Sequence, residues 1–163
     1  MKLPMRYVPK NISAKDKKKQ VRMLLKSKKL YKDHKYFTRK PIASFKNKKS
    51  NHVADARRIY KVDNVNPGSE LAAKTGCTVS ALKQIVKKGE GAYFSSGSRP
   101  NQTAQSWGLA RLASSITGGK SAAVDYKILE SGCNHGQKAF KLANQAKKKY
   151  GFGHSKTKKV EIN

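Results

Sequence analysis

Positive charge is the feature that most constrains how this chain can fold. The sequence of 163 residues holds 37 lysines and arginines against nine aspartates and glutamates, a formal net charge of +28 at pH 7. Repulsion among so many cations opposes compaction and favours anionic partners such as nucleic acid, an anionic membrane surface or an acidic protein. Composition alone does not choose among these partners.

The charge is unevenly distributed along the chain. Residues 1–60 hold 20 lysines and arginines against three aspartates, whereas residues 91–140 hold five against two acids. We therefore predict a basic extended arm with one helix over residues 1–49, a helical core domain over residues 50–150 and a basic tail over residues 151–163. Lysine outnumbers arginine, which favours diffuse, salt-sensitive attraction over the reading of a base sequence.

Apolar spacing and capping residues predict a mainly α fold, a small multi-helix domain carrying the basic arm and tail. Ser13, Ser50 and Thr103 are suited to begin helices, and glycines are placed to end several of them. The expected helices cover about residues 15–29, 51–60, 69–76, 78–89, 103–117, 121–131 and 134–150. No strand is convincing, apart from a short extended piece at Ala92–Ser95.

Residues 69–89 resemble a helix-turn-helix hairpin, with Gly76 at the turn between two short helices. If this hairpin read DNA, the exposed start of its second helix would present Ser80, Ala81, Lys83 and Gln84. Many helical hairpins share the pattern without touching DNA, so simple packing is the favoured alternative.

Residues 30–50 interleave aromatic residues with cations. Such a composition is typical of grooves that bind single-stranded nucleic acid. It is equally typical of an extended arm that docks on a neighbour, with aromatic anchors in pockets and lysines in water, and we favour this second interpretation. The anchors would be Tyr31, Tyr36, Phe37 and Phe45.

The glycine- and serine-rich loop over residues 89–103 is nearly neutral. It could cradle an anion through its hydroxyls and Arg99, or it could be a rigid connection in which Tyr93, Phe94 and Trp107 pack; we favour the connection. Its sequence matches neither a nucleotide-binding loop nor a nucleophile elbow. Histidines and acids are scattered, so we expect no enzyme, no catalytic residue, no metal, no cofactor and no small-molecule substrate.

Cys77 and Cys133 are the only cysteines. Two cysteines are too few for a disulfide framework, and the first residues lack the apolar core of a signal peptide. The sequence contains no run of about 18 apolar residues, the length that a membrane-spanning helix needs. We therefore expect an intracellular protein.

One central stretch resembles a known family. The motifs SSGSRPNQT, SWGLARLAS, TGGK and VD, together with YFTRKPIASFKNKKS and ELAAKTGC, are similar to those of a small uncharacterised domain of nucleocytoplasmic large DNA viruses and some phages. The resemblance covers about residues 30–133. It implies a viral context and transfers no activity and no catalytic residue.

These observations support two functional hypotheses. The first is a non-enzymatic minor capsid protein inside the virion of a large double-stranded DNA virus, assembled in the host cytoplasm. Its partners would be major and minor capsid proteins, with viral DNA or the anionic surface of an inner membrane facing its arms. The second is a sequence-nonspecific DNA-binding or genome-condensing protein. The cations expected to bind anions or partners are Lys17, Lys18, Lys19, Lys28, Lys29, Arg39, Lys48, Lys49, Lys83, Arg99, Lys147, Lys148 and Lys149.

Overall fold

The computed structural model describes residues 1–48, 50–151 and 158–162 and confirms a mainly helical fold. Eight helices and two short strands lie within these residues. They are, in chain order, β1 (Lys2–Pro4), α1 (Ala14–Lys32), α2 (Asn51–Tyr60), α3 (Ser69–Thr75), α4 (Val79–Ser95), α5 (Ala104–Ile116), α6 (Lys120–Val124), α7 (Tyr126–Gly132), α8 (Lys138–Tyr150) and β2 (Lys159–Glu161).

The chain forms two compact units. Unit 1 comprises Met1–Lys49, Glu90–Trp107 and Lys156–Asn163, and unit 2 comprises Ser50–Gly89 and Gly108–Ser155. The sequence prediction treated residues 1–49 as an arm and residues 50–150 as one core. The structure instead groups residues 90–107 with the N-terminal segment, and the boundary between the units falls within α4 and α5.

Unit 1 has its own apolar core although it carries most of the lysine-rich segment. Leu3, Tyr7, Val8 and Leu24 are buried together, with Trp107 packed against them. Strands β1 and β2 are antiparallel, with Leu3 opposite Val160. The helix α1 begins as predicted, because the Ser13 hydroxyl accepts a hydrogen bond from the Asp16 backbone N–H at 3.2 Å. Its apolar stripe contributes to the core while its lysines remain at the surface.

The core of unit 2 is larger and draws on seven helices, α2 to α8. Leu82, Ile85, Leu112, Ile116 and Leu129 are all fully buried there. A close approach of α4 and α5 requires glycine, because a Cβ added to Gly89 would lie 2.6 Å from the Cα of Gly108. Among the described residues, no helix combines the length and the apolar character needed to cross a bilayer.

Three element boundaries differ from the predictions. The helix α4 does not end at Gly89 but continues to Ser95, so the piece at 92–95 predicted as extended is helical. The helix predicted over 121–131 is divided into α6 and α7 at Asp125. The last helix begins at Lys138 rather than after Asn134. The first two differences arise from tertiary contacts, the packing of Gly89 and the ion pairs of Asp125. The predicted boundaries rested on local sequence signals, which do not reveal such contacts.

Helices α3 and α4 follow one another, and Gly76 stands between them with a left-handed φ of 77°. Of the four residues expected at the exposed start of α4, Ala81 is instead buried, because its Cβ faces Gly132. A disulfide joins Cys77 to Cys133, a pairing that the sequence analysis did not predict. Backbone hydrogen bonds flank it, from Thr78 to Gly132 and from Asn134 to Gly76.

Asp125 organises the junction between α6 and α7. Its side chain has no solvent exposure, and it accepts hydrogen bonds from Arg111 Nε at 2.9 Å and Arg111 Nη2 at 2.8 Å. Ser115 Oγ donates at 3.1 Å, and Lys88 Nζ lies 3.5 Å away. A buried carboxylate is tolerated only when its charge and lone pairs are satisfied in this way.

We expect Asp125→Asn to lower the free energy of unfolding by about 3 kcal/mol, because the Arg111 guanidinium would lose its buried counter-charge. Asp55→Asn is the matched control, since Asp55 pairs with Arg58 at 3.3 Å on the surface, where ion pairs contribute up to about 1 kcal/mol. Urea unfolding followed by far-UV circular dichroism measures both variants. Equal effects would contradict a structural role for the Asp125 ion pairs.

Candidate functional site

A cationic cleft of about 250 Å³ lies on unit 1. Three separate segments of the chain supply its lining. Its cations are Arg6, Lys46, Lys48 and Arg99, and the described residues that line it include no carboxylate. Four positive charges around one concavity focus an electrostatic field that attracts anions.

The remaining lining combines amides with one aromatic ring. Asn11, Asn47 and Gln102 place amide side chains in the cleft, and Phe45 lines it with a half-buried side chain. Amides both donate and accept hydrogen bonds, and an aromatic face stacks on a nucleobase. The cleft therefore offers more than charge.

The first lining segment is a tight turn after β1. Tyr7 N–H donates to the Pro4 carbonyl at 2.9 Å, and Val8 N–H donates to the Met5 carbonyl at 3.2 Å. The side chain of the buried Gln20 in α1 donates to the Tyr7 carbonyl at 3.2 Å. With Tyr7 and Val8 buried in the core, this turn holds the exposed Arg6 at the rim of the cleft.

Asn101 joins the second segment to the third. Its Oδ1 accepts from the Ile42 N–H at 2.7 Å, and its Nδ2 lies 3.2 Å from the carbonyl oxygens of both Ile42 and Phe45. Asn101 has a left-handed φ of 62°, which asparagine adopts more readily than most residues. Through these three bonds Asn101 fixes the backbone that leads to Phe45, Lys46 and Lys48.

Asp16 in α1 holds the same segment from a second direction. Its carboxylate accepts from the backbone N–H of Ser44 at 2.9 Å and from the Ser44 hydroxyl at 2.6 Å. These hydrogen bonds lower the pKa of Asp16 below its ordinary value of 3.8. Their stabilising contribution is therefore present above that value and is lost as the pH falls through the lowered pKa.

Arg39 organises the loop that carries Arg99. Arg39 is 6% exposed, and its guanidinium donates to Ser27 Oγ at 3.0 Å, the Tyr93 carbonyl at 2.9 Å and Ser98 Oγ at 2.8 Å. Its cationic group also lies 3.8 Å from the centre of the Tyr93 ring. Ser98 Oγ in turn donates to the Arg99 carbonyl at 2.8 Å, so the buried arginine positions the exposed one.

These hydrogen-bond partners of the Arg39 guanidinium are neutral, and burial lowers the pKa of this group below its ordinary value. Arginine nevertheless keeps its charge in proteins, so unit 1 contains an interior cation in addition to those on its surface. Arg39 was predicted to bind an anion or a partner. The structure instead gives it a positioning role inside unit 1.

Gly97 allows the loop to approach the core. Its φ of 115° is one that side chains rarely adopt, and a Cβ there would lie 2.8 Å from Leu24 Cδ2. The serine-rich loop is thus closely packed, in agreement with the interpretation of residues 89–103 as a rigid connection. Tyr93 is fully buried, and the ring of Trp107 packs edge-on against that of Tyr7. Arg99 departs from that interpretation because it is exposed and lines the cleft.

The structure places the predicted cations at different sites. Lys48 and Arg99 meet in the cleft, whereas Lys49 lies outside the described residues. Lys147 Nζ lies 4.2 Å from the centre of the Tyr126 ring in unit 2, and Lys28 is half-buried. The other predicted cations are exposed on helices; they are Lys17, Lys18, Lys19, Lys29, Lys83, Lys148 and Lys149.

The four predicted aromatic anchors also separate. Phe37 and Phe45 pack against a small core of Ile12, Met23 and Ile42. Tyr31 lies parallel to Phe94, with the ring centres 6.5 Å apart. Tyr36 is 69% exposed, which leaves it the most accessible of the four.

A larger cleft of about 380 Å³ lies on unit 2, but its charge is mixed. Lys88, Lys127 and Lys147 line it together with Asp125 and Glu130. The carboxylates make it less selective for anions than the cleft on unit 1. In the described part of the chain, no group of three or more histidine, cysteine, aspartate or glutamate side chains could hold a metal ion.

The sequence predictions included two of the four cations that line the cleft, Lys48 and Arg99. Arg6 and Lys46 were not selected, and neither were the amides or Asn101, although every one of them is visible in the sequence. Asn101 lies 59 residues from Ile42 along the chain, and no local pattern marks such a pairing. Two signals pointed here. One was the interleaving of cations and aromatic residues over residues 30–50, which include Phe45 and Lys48, and the other was the serine-rich loop that carries Arg99.

We expect Asn101→Gly to lower the free energy of unfolding by about 2 kcal/mol through the loss of three hydrogen bonds. Asn101→Ala should cost about 1 kcal/mol more, because alanine is strained at positive φ whereas glycine is not. Fluorescence of Trp107, the only tryptophan and a residue of unit 1, reports urea unfolding. If both variants unfold like the wild type, Asn101 does not hold the cleft together.

Comparison with known proteins confirms that the chain belongs to a family without an assigned function, whereas the predicted viral kinship stays a prediction. No curated protein and no solved structure matches the chain. A family of unknown function matches residues 4–128, a range that contains α1 to α6 and all residues that line the cationic cleft. The chain belongs to this family of unknown function, DUF5824.

Proposed function

We propose that this protein is a non-enzymatic nucleic-acid-binding protein that contacts phosphates without reading base sequence. The observation that carries the proposal is the cleft on unit 1, where four cations converge and the described lining residues include no carboxylate. A net charge of +28 supplies the long-range attraction, and the cleft supplies a local site.

The pairing of arginine and lysine in the cleft suits a phosphate backbone. The planar guanidinium groups of Arg6 and Arg99 can donate two parallel hydrogen bonds to one phosphate, whereas Lys46 and Lys48 act as mobile point charges. Each phosphate that a cation neutralises releases condensed counterions, so affinity falls steeply as salt is added. This mode of binding requires no base contacts.

Exposed lysines outside the cleft extend the same surface chemistry. Lys17, Lys18 and Lys19 follow one another at the exposed start of α1 in unit 1. Their charges strengthen attraction to any polyanion, but they lie on one convex helix and offer no enclosed site. The cleft should therefore contribute more affinity per charge than these lysines.

We expect the double variant Arg6→Gln with Arg99→Gln to weaken binding to a 20-base-pair DNA duplex and to reduce the slope of log K against log salt concentration by about 1.8. The control is Lys83→Gln with Lys148→Gln, which removes two exposed charges from unit 2. Fluorescence anisotropy with labelled DNA, repeated from 50 to 300 mM NaCl, measures both slopes.

An equal change of slope in the two double variants would show that binding depends on total charge and not on the cleft. No binding by the wild type, even at the lowest salt concentration, would remove the proposed function altogether.

A second candidate function is that of a minor capsid protein in a large DNA virus, in contact with other capsid proteins. Two features favour it. One is the resemblance of residues 30–133 to a viral domain. The other is Tyr36, which is 69% exposed, follows the exposed Lys35 and suits an anchor in a partner's pocket. Quantitative analysis of purified virions tests it. Retention with DNA-stripped shells at a fixed stoichiometry supports this function, whereas loss together with the DNA favours the first.

A further inference from the structure

We infer that the cleft on unit 1 takes single-stranded nucleic acid, with an unpaired base stacked on Phe45 and the adjoining phosphates held by Arg6, Lys48 and Arg99. This inference rests on the proposed function and names its ligand more closely. The juxtaposition that carries it is an aromatic side chain and three amide side chains inside the same cationic concavity.

Charge alone would not distinguish a single strand from a duplex. Both present a row of phosphates, and lysines on a convex surface suffice for either. An aromatic side chain within the concavity changes the comparison, because its face gains stacking energy only from a base that has left its own stack. In a duplex the faces of the bases are covered by their neighbours.

The size of the cleft supports the same ligand. At about 250 Å³ it is slightly smaller than most ligand pockets, which are roughly 300–1,000 Å³. A duplex is too wide to enter, so it would touch only the rim cations. A single base with its flanking phosphates can enter and can meet the amides of Asn47 and Gln102, which are able to pair with base edges.

Phe45 is held in place before any ligand arrives. Its backbone carbonyl lies 3.2 Å from Asn101 Nδ2, and its side chain packs against the core that contains Ile12, Met23 and Ile42. A ring that is already immobilised loses little conformational entropy on binding. The same packing leaves the ring half-buried, so that part of it remains available to the cleft.

Unit 1 exposes a second aromatic group of the kind that single strands use. The ring centre of Tyr36 lies 5.1 Å from that of Phe94 and 6.1 Å from that of Tyr31, and Tyr36 is itself 69% exposed. Lys32 and Lys35, which shortly precede Tyr36 in the sequence, are exposed. A strand longer than one nucleotide therefore has a further stacking surface on this unit.

The test measures the affinity of the wild-type full chain for three labelled probes at one salt concentration. Each strand of the probes has the same number of phosphates. The probes are a thymidine 20-mer, an abasic 20-mer that has phosphates and sugars but no bases, and a 20-base-pair duplex. We expect the thymidine 20-mer to bind about 5- to 150-fold more tightly than the abasic strand, the range that stacking of one base provides.

Variants locate the effect. Phe45→Leu keeps an apolar side chain for the core but removes the aromatic face, so it should abolish most of the thymidine preference and leave the abasic affinity unchanged. Phe45→Trp keeps an aromatic face and should retain the preference. Tyr150→Leu is the control, since Tyr150 is also exposed and lies beside lysines, but in unit 2. Circular dichroism confirms that each variant is folded.

The outcomes separate the inference from the function on which it rests. Equal affinity of the wild type for the thymidine and abasic strands would overturn base stacking and leave phosphate binding in place. Tighter binding of the duplex than of the thymidine strand would also overturn the inference. Failure to bind any of the three probes would instead remove the proposed function itself.

Discussion

Repulsion among 37 cations, opposed by only nine acids, is the constraint on which the rest of the structure depends. Acids are so few that their positions decide which parts of the chain can pack. Asp125 neutralises Arg111 inside unit 2 and approaches Lys88, which allows α5 to pack beside the junction of α6 and α7. Asp16 instead accepts hydrogen bonds from Ser44 in unit 1 and fixes the segment that leads to the cleft. These two carboxylates are thus placed where they stabilise the fold, and the described lining of the cleft is left without one.

Neutral oxygens replace carboxylates around the buried Arg39. Hydroxyl and carbonyl groups of Ser27, Tyr93 and Ser98 satisfy its guanidinium, so burial of this cation consumes none of the scarce acids. The arrangement has two effects on the cleft. Ser98 is held against the Arg99 carbonyl, which orders the backbone beneath an exposed arginine, and the interior charge of unit 1 is not cancelled by a nearby acid. Both effects favour an anionic ligand, because the backbone that carries Arg99 is ordered in advance and the described partners of Arg39 leave its charge in place.

Local signals in the sequence were sufficient for helices and insufficient for the site. Ser13, Ser50 and Thr103 begin α1, α2 and α5 as predicted, because capping and apolar spacing act within a few residues. The end of α4 was misplaced because Gly89, a helix terminator by local rules, is required for the approach to Gly108. Strands β1 and β2 have three residues each and pair the two ends of the chain, and no local period reveals so short a pairing. The cleft has the same origin, since Asn101 connects segments that the sequence keeps 59 residues apart.

The aromatic residues among the N-terminal lysines show how one composition separates into different roles once it folds. Phe37 and Phe45 pack on Ile42 and so give the lysine-rich segment a core of its own, which a purely solvated arm would lack. Tyr36 stays exposed and adds no comparable burial to the fold. An extended arm would have kept all four aromatic residues for a partner, whereas the folded segment keeps Tyr36 on the surface and a part of Phe45 in the cleft. Surplus charge attracts any polyanion, and under the proposed function these two aromatic residues would let the chain prefer one, because stacking depends on the faces of bases and not on their phosphates.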